Sequence, residues 1–202
     1  MKNVLLIGIC KEKLGFYEFV KPVGDILIKN KIKGIIRHYG CLTKKDLEMC
    51  DGVIICGTTL FDSEFIDNVS KFDWLKEYKK PVLGICGGMQ IIGLAFGGKL
   101  ARKTEIGYYT EVFGKTYASP TSSGQKAGNK EEFIKKFLGL RGRQEVYHLH
   151  NNYIDFSKLD FEVFAGKKIS QAVKHKSKEI YGVLFHPEVR QKMMIEEFCN
   201  LK

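Results

Sequence analysis

Four short runs rich in β-branched residues, VLLIGI (4–9), GIIRHY (34–39), GVIICG (52–57) and PVLGIC (81–86), recur through the first 90 residues. Each is ended by glycine, proline or charge, and longer amphipathic stretches separate them. Strands this short and apolar need cover, and the intervals supply it. Between the first two, Phe16, Phe19, Val20, Val23, Ile26 and Leu27 fall at helical spacing, with Pro22 starting or kinking that helix. From 61 to 77, Phe61, Phe65, Ile66, Val69, Phe72, Trp74 and Leu75 predict a second helical stripe, acidic early and lysine-rich late. The alternation predicts an α/β fold: an open, mostly parallel sheet flanked by helices.

After residue 98 the pattern changes. YYTEVFGKTY, EVYHLHNNYI, FEVFAG, KISQAVKH and YGVLFHPEV are strand-like, EEFIKKFLGL (131–140) reads as a short helix, and SPTSSGQKAGNK (119–130) as a mobile loop. A small antiparallel sheet is therefore expected beside the parallel one. At 202 residues the whole chain, 1–202, is read as a single domain.

Composition excludes several classes. No apolar run reaches the 18 residues a membrane helix needs. The apolar stretch of MKNVLLIGIC ends at KEK without a cleavage pattern, so it is a first strand and not a leader. Six scattered cysteines (Cys10, Cys41, Cys50, Cys56, Cys86, Cys199) form no CxxC pair, which fits reduced thiols in a cytoplasm. The net charge of +10 is spread along the chain without aromatic interleaving. Nucleic acid is thus disfavoured, and a basic surface for an acidic partner or anionic substrate preferred.

Chemistry concentrates at VLGICGGMQIIGLAFGG (82–98), where a strand pattern meets a helix pattern at Cys86 between glycines. A residue at such a junction projects from the carboxyl edge of the sheet, where α/β proteins bind ligands. The helix that follows offers unpaired N–H groups and a positive dipole end, which stabilise an anion on sulfur. The N–H of Gly87 would face an oxyanion. In isolation such a cysteine reads equally as a packed core thiol. The second feature is YGVLFHPEV (181–189), where Pro187 is expected to hold His186 extended so that His186 and Glu188 share a face. A carboxylate beside an imidazole orients the ring while its other nitrogen takes a thiol proton.

Together, GICGGMQ and GVLFHPEV resemble the signatures of the class I, triad-type glutamine amidotransferases: Gly-x-Cys-x-Gly-x-Gln and a late Phe-His-Pro-Glu. The resemblance spans essentially the whole chain. It implies a flavodoxin-like fold and a triad of Cys86, His186 and Glu188. That triad would attack the side-chain amide of glutamine, form a γ-glutamyl thioester, release ammonia and hydrolyse to glutamate. It also implies substrate contacts: Gln90 one turn after Cys86, Glu105 of TEIGYY at the α-amino group, and His150 and Asn152 of HLHNNYI at the family's His-x-Asp places. His148 and His150 are read as structural or lining residues and not metal ligands, since no third ligand is evident. No metal or cofactor is expected, and His38 and His175 are read as surface residues.

Two departures bear on activity. Relatives often carry Gly-Gly-Pro after the third strand, whereas this chain has Gly57, Thr58 and Thr59, so the N–H of Gly57 or Thr58 must complete the oxyanion hole. Such a hole, misaligned until a partner docks, would leave the isolated chain nearly idle. Leu184 also replaces the frequent glutamine before Phe-His-Pro-Glu, and Gly87 a frequent leucine. No synthase signature is found, so a glutaminase subunit passing ammonia to a separate synthase subunit is the leading expectation. The alternatives are a stand-alone γ-glutamyl hydrolase and a non-catalytic binding or regulatory relative.

Overall fold

The computed structural model describes residues 1–114, 136–166 and 168–201. Its sheet has seven strands: β1 (Asn3–Gly8), β2 (Lys33–His38), β3 (Gly52–Ile55), β4 (Val82–Ile85), β7 (Phe161–Ala165), β8 (Ala172–His175) and β9 (Ile180–Val183). The order is β2-β1-β3-β4-β9-β8-β7, parallel from β2 through β9, with β8 and β7 antiparallel at one end. A separate two-stranded ribbon pairs β5 (Leu100–Phe113) with β6 (Gly142–Ile154). The expected architecture, an open mostly parallel sheet plus a small antiparallel one, is the one observed.

Period-two alternation divides the core. Val4 and Leu6 of β1 join Ile54 and Leu83 on one face, covered by Val23 and Leu27 of α2 (Lys21–Lys29) and by Met194, Ile195 and Phe198 of α6 (Lys192–Cys199). Leu5, Ile7, Val53 and Ile55 point the other way, against Leu47 of α3 (Lys44–Met49) and Ile91 and Ile92 of α5 (Gly87–Ala95). Edge strand β2 is mostly exposed, and its Lys33, Arg37 and His38 discourage further strand pairing. The chain enters α2 through the short α1 (Lys13–Gly15) and a π-helical turn (Phe16–Val20), with Pro22 in the first turn, where its missing N–H costs nothing.

The helix expected over 61–77 is corrected. Only α4 (Glu64–Asp67) is α-helical, and Val69–Lys76 is a 3-10 helix. Asn68 ends α4 by donating its side-chain amide to the Glu64 carbonyl at 2.9 Å, an alternative to continued helix. Beyond it the spacing of Val69, Phe72 and Leu75 matches three residues per turn; Phe72 and Leu75 are fully buried. Phe61, assigned to the same stripe, is 95% exposed. Within EEFIKKFLGL, the described part is a turn and not a helix: Phe137 and Leu140 form a bridge around Leu138 and Gly139, both at positive φ. The remainder of that segment and the loop assigned to 119–130 lie outside the described residues.

Candidate active site

β4 runs directly into Cys86, and α5 starts at the next residue. Cys86 has φ 50° and ψ −105°, a conformation that costs a non-glycine residue about 1–3 kcal/mol. Neighbours enforce it: its N–H donates to the Val183 carbonyl at 2.7 Å, and its carbonyl accepts from Gln90 N–H at 3.1 Å. Glycines let α5 lie directly on the sheet. A Cβ on Gly88 would stand 2.2 Å from the Ile55 carbonyl oxygen, and one on Gly84 2.6 Å from the Gly88 backbone. The Cys86 thiol points to the Leu149 carbonyl of β6 at 3.5 Å, so the ribbon forms the opposite wall.

His186 and Glu188 follow β9 in a turn, not in the extended segment expected from Pro187. Val189 N–H closes the turn on the His186 carbonyl at 3.2 Å, and His186 N–H ties it to Tyr147 of β6 at 2.8 Å. Turn geometry achieves the same meeting: His186 Nδ1 lies 2.7 Å from Glu188 Oε1, with both side chains buried. Phe19 packs on the ring, its centroid 5.4 Å away. A Cβ on Gly57 would stand 2.7 Å from His186 Cε1, so this glycine holds room for the imidazole. Burial alone would strip the ring of its proton. The Glu188 carboxylate and then the Cys86 sulfur outweigh that, holding the His186 pKa well above 6.5. His186 Nε2 makes no hydrogen bond of ordinary geometry, but Cys86 is close enough to act on the ring as charge and hydrogen-bond partner.

A small, partly open cleft lies at Cys86. Of the residues expected at the site, Thr58, Gly87, Gln90, His150 and Asn152 line it with Cys86, whereas Gly57, Glu105, His186 and Glu188 do not. Gln90 donates its amide to the Asn152 carbonyl at 2.9 Å, so Asn152 engages it through main chain. Glu105 accepts from Gln171 Nε2 at 2.9 Å and stands 3.1 Å from His150 Nε2. Sequence reasoning missed Asp62, which accepts from Thr58 Oγ1 at 2.9 Å and from Lys11 N–H at 2.6 Å, fixing the loop after β3. It also missed Asn151, whose side chain spans from Thr104 to the Leu60 carbonyl. The Asn-Asn pair in HLHNNYI was the available signal for a polar wall.

The other histidines divide. His38 is exposed and accepts from Gly40 N–H. His175 corrects its surface reading: it is buried between Phe96 and Phe161 and accepts from Ser177 N–H at 3.1 Å. His148 is fully buried and stands 3.3 Å from His150, ring nitrogen to ring nitrogen. The sequence showed no third polar group for this pair; the register of the ribbon, which sets Glu105 opposite His150, provides one.

The family model for glutamine amidotransferase class-I matches residues 23–200. A glutamine-hydrolyzing GMP synthase subunit of Methanococcus aeolicus is 32% identical over 187 residues, covering 89% of this chain and 79% of that protein. The chain belongs to the class-I glutamine amidotransferase family. A second relative of the same description, from Methanobrevibacter smithii, is 31% identical over 58% of this chain, and the match spans only 55% of its own length. In the GMP synthase of Francisella philomiragia, 31% identical, the match takes up 27% of a longer protein. Solved structures of similar fold include a provisional GMP synthase subunit from Thermoplasma acidophilum, with a TM-score of 0.77 and 20% identity over 98% of this chain and 92% of that one. The glutaminase domain of Trypanosoma brucei CTPS superposes with a TM-score of 0.69 at 13% identity, covering 98% and 92%. This amidotransferase-family chain has, among its described residues, no helix long and apolar enough to cross a membrane.

Proposed function

We propose that the chain, acting as one domain over 1–202, is the glutamine-hydrolysing subunit of a two-chain amidotransferase. The observation that carries this reading is the buried His186–Glu188 pair beside a cysteine at a strained strand-to-helix turn, open to a polar cleft. The Cys86 sulfur attacks the side-chain carbonyl carbon of glutamine. The tetrahedral oxyanion is met by the N–H of Gly87 and that of Gly57 or Thr58. As the C–N bond breaks, imidazolium His186 gives its proton to the leaving nitrogen, ammonia departs, and a γ-glutamyl thioester remains on Cys86. His186 then takes a proton from water, which attacks the thioester and frees glutamate and the thiol. Glu188 holds the ring in the orientation both steps need. Gln90 and the main chain of Leu149–Asn152 hold the substrate, and Glu105 acts behind His150 rather than on glutamine.

Relatives described as glutamine-hydrolyzing subunits of GMP synthase support ammonia delivery to a separate synthase subunit, with a GMP-forming partner as the first to try. The stand-alone γ-glutamyl hydrolase is less favoured because the curated relatives point to a synthase assembly. The test measures glutamate release with and without the candidate synthase subunit, for wild type and Cys86→Ala. Release that rises on adding the partner and vanishes in Cys86→Ala is expected; equal release by both proteins refutes the assignment to Cys86. Turnover of γ-glutamyl conjugates in preference to glutamine, by the chain alone, would favour the hydrolase.

A further inference from the structure

Behind the cleft, the inner face of the β5–β6 ribbon gathers three titratable groups outside the proposed triad, Glu105, His148 and His150. We propose that Glu105, His148 and His150 form a binding site for one divalent transition metal of the zinc class, coordinated by Glu105 Oε2, His148 Nδ1 and His150 Nε2. The inference goes beyond the glutaminase reading and does not rest on it.

The geometry is the first argument. The three candidate ligand atoms form a compact triangle with edges of 3.1 Å (Glu105 to His150), 3.3 Å (His148 to His150) and 3.8 Å (Glu105 to His148). A tetrahedral ion with bonds of about 2.0–2.1 Å holds its ligands about 3.3–3.4 Å apart, whereas an octahedral face at that bond length draws them to about 2.9 Å. The observed edges centre on the tetrahedral value. A set of two imidazoles and a carboxylate leaves one position open, and its nitrogen content selects zinc-like ions over magnesium or calcium.

The second argument is what the groups do without a cation. Two imidazole nitrogens 3.3 Å apart, facing a carboxylate, need a proton or a metal ion between them. The remaining nitrogens suit the metal. His148 Nε2, which has no hydrogen bond, is 3.8 Å from Glu111 Oε1, and His150 Nδ1 likewise has no hydrogen-bond partner. A carboxylate that closes on such a nitrogen fixes the tautomer of a metal-bound histidine. Gln171 Nε2 holds Glu105 in place.

The fold makes room for the ion. Glu105 and His150 are cross-strand partners, and the register irregularity between Arg102 and Glu105 comes immediately before. His148, two residues from His150 on the same face, pairs with Gly107, which has no side chain to fill the space and sits at φ 113°. Glu105 retains partial exposure and provides a path for entry. A bound metal would clamp the ribbon at this irregularity, next to Leu149, whose carbonyl faces the Cys86 thiol. It would thereby set the width of the cleft.

The test uses the full chain, stripped of metal by a chelator and carrying Cys86→Ala so that no reactive thiol competes. It is titrated with Co²⁺, and the bound ion is then displaced with Zn²⁺. One Co²⁺ per chain is expected, with the intense visible bands of a four-coordinate ion and no thiolate charge-transfer band. Glu105→Gln, which keeps the shape and hydrogen bonds of the side chain, and His148→Asn should each weaken binding at least about tenfold, the loss even outer-sphere changes can cause. Circular dichroism establishes that each variant is folded, and the isosteric Glu105→Gln carries the test if His148→Asn is not. Absence of stoichiometric binding would mean that a proton alone fills the gap and would overturn the proposal. Binding unchanged by Glu105→Gln in the folded protein, or binding that needs the Cys86 thiol, would overturn it as well.

Discussion

His186 is the residue on which opposing forces are most unequal. Burial disfavours its charge, yet a carboxylate 2.7 Å away and the neighbouring sulfur keep it protonated. Because the folded value lies above the unfolded one, this contribution to stability is complete below about pH 6.5 and is lost as pH rises through the raised value. Glu188→Gln should therefore move the His186 titration, followed by NMR of the ring protons, to lower pH. A titration that stays in place would show that Glu188 is not what holds the proton. Gly57→Ala places a methyl 2.7 Å from His186 Cε1, and the expected outcome is slower glutamate release with little change in melting temperature. The junction at Cys86 and the meeting of His186 with Glu188 were legible in the sequence from a glycine-flanked strand-to-helix change and a two-residue spacing around Pro187, although that spacing lies in a turn and not in the extended segment expected. That Glu105 stands opposite His150 was not legible, because nothing local announces the register of the ribbon, and the same blindness left the two histidines without a third partner.

The elements follow the same division between local and long-range information. The parallel strands were legible because continuous apolar runs have few other uses, and α2 because its stripe keeps helical period over nine residues. The segment after residue 61 deceived because residues 69, 72 and 75 fit both a helix and a 3-10 turn, and Asn68 decides between them through a bond to the backbone. At α5, packing without side chains is the controlling feature. Gly88→Ala should destabilise the protein by about 1–3 kcal/mol, measured by denaturant unfolding, since the new methyl meets the rigid Ile55 carbonyl at 2.2 Å. At α3, Thr43 and Asp46 cap the helix reciprocally, each side chain accepting from the other's backbone N–H. Thr43→Ala should cost about 1 kcal/mol in the same measurement. A cost near zero would mean that tertiary packing alone holds α3.

On the scale of the whole molecule, a net charge of +10 gives the chain a positive long-range field. If the synthase subunit carries the complementary charge, its association rate should fall as salt is raised from about 50 to 500 mM, because screening shortens the reach of that field. A salt-independent rate would assign the basic surface another use. Fold class could be read from the chain, since it depends on hydrophobic period; the order of the strands and the shape of the cleft could not, since the first is set by long-range pairing and the second is built where β6 meets the end of β4. The account stands on a sulfur at that meeting point made reactive by a buried imidazole and carboxylate. Its most direct test is mass spectrometry of the intact protein after treatment with an electrophilic glutamine analogue. A single adduct on Cys86, formed far more slowly in His186→Ala and suppressed by glutamine, is the expected result. Labelling spread over Cys10, Cys41 and Cys86 alike, and indifferent to glutamine, would contradict it.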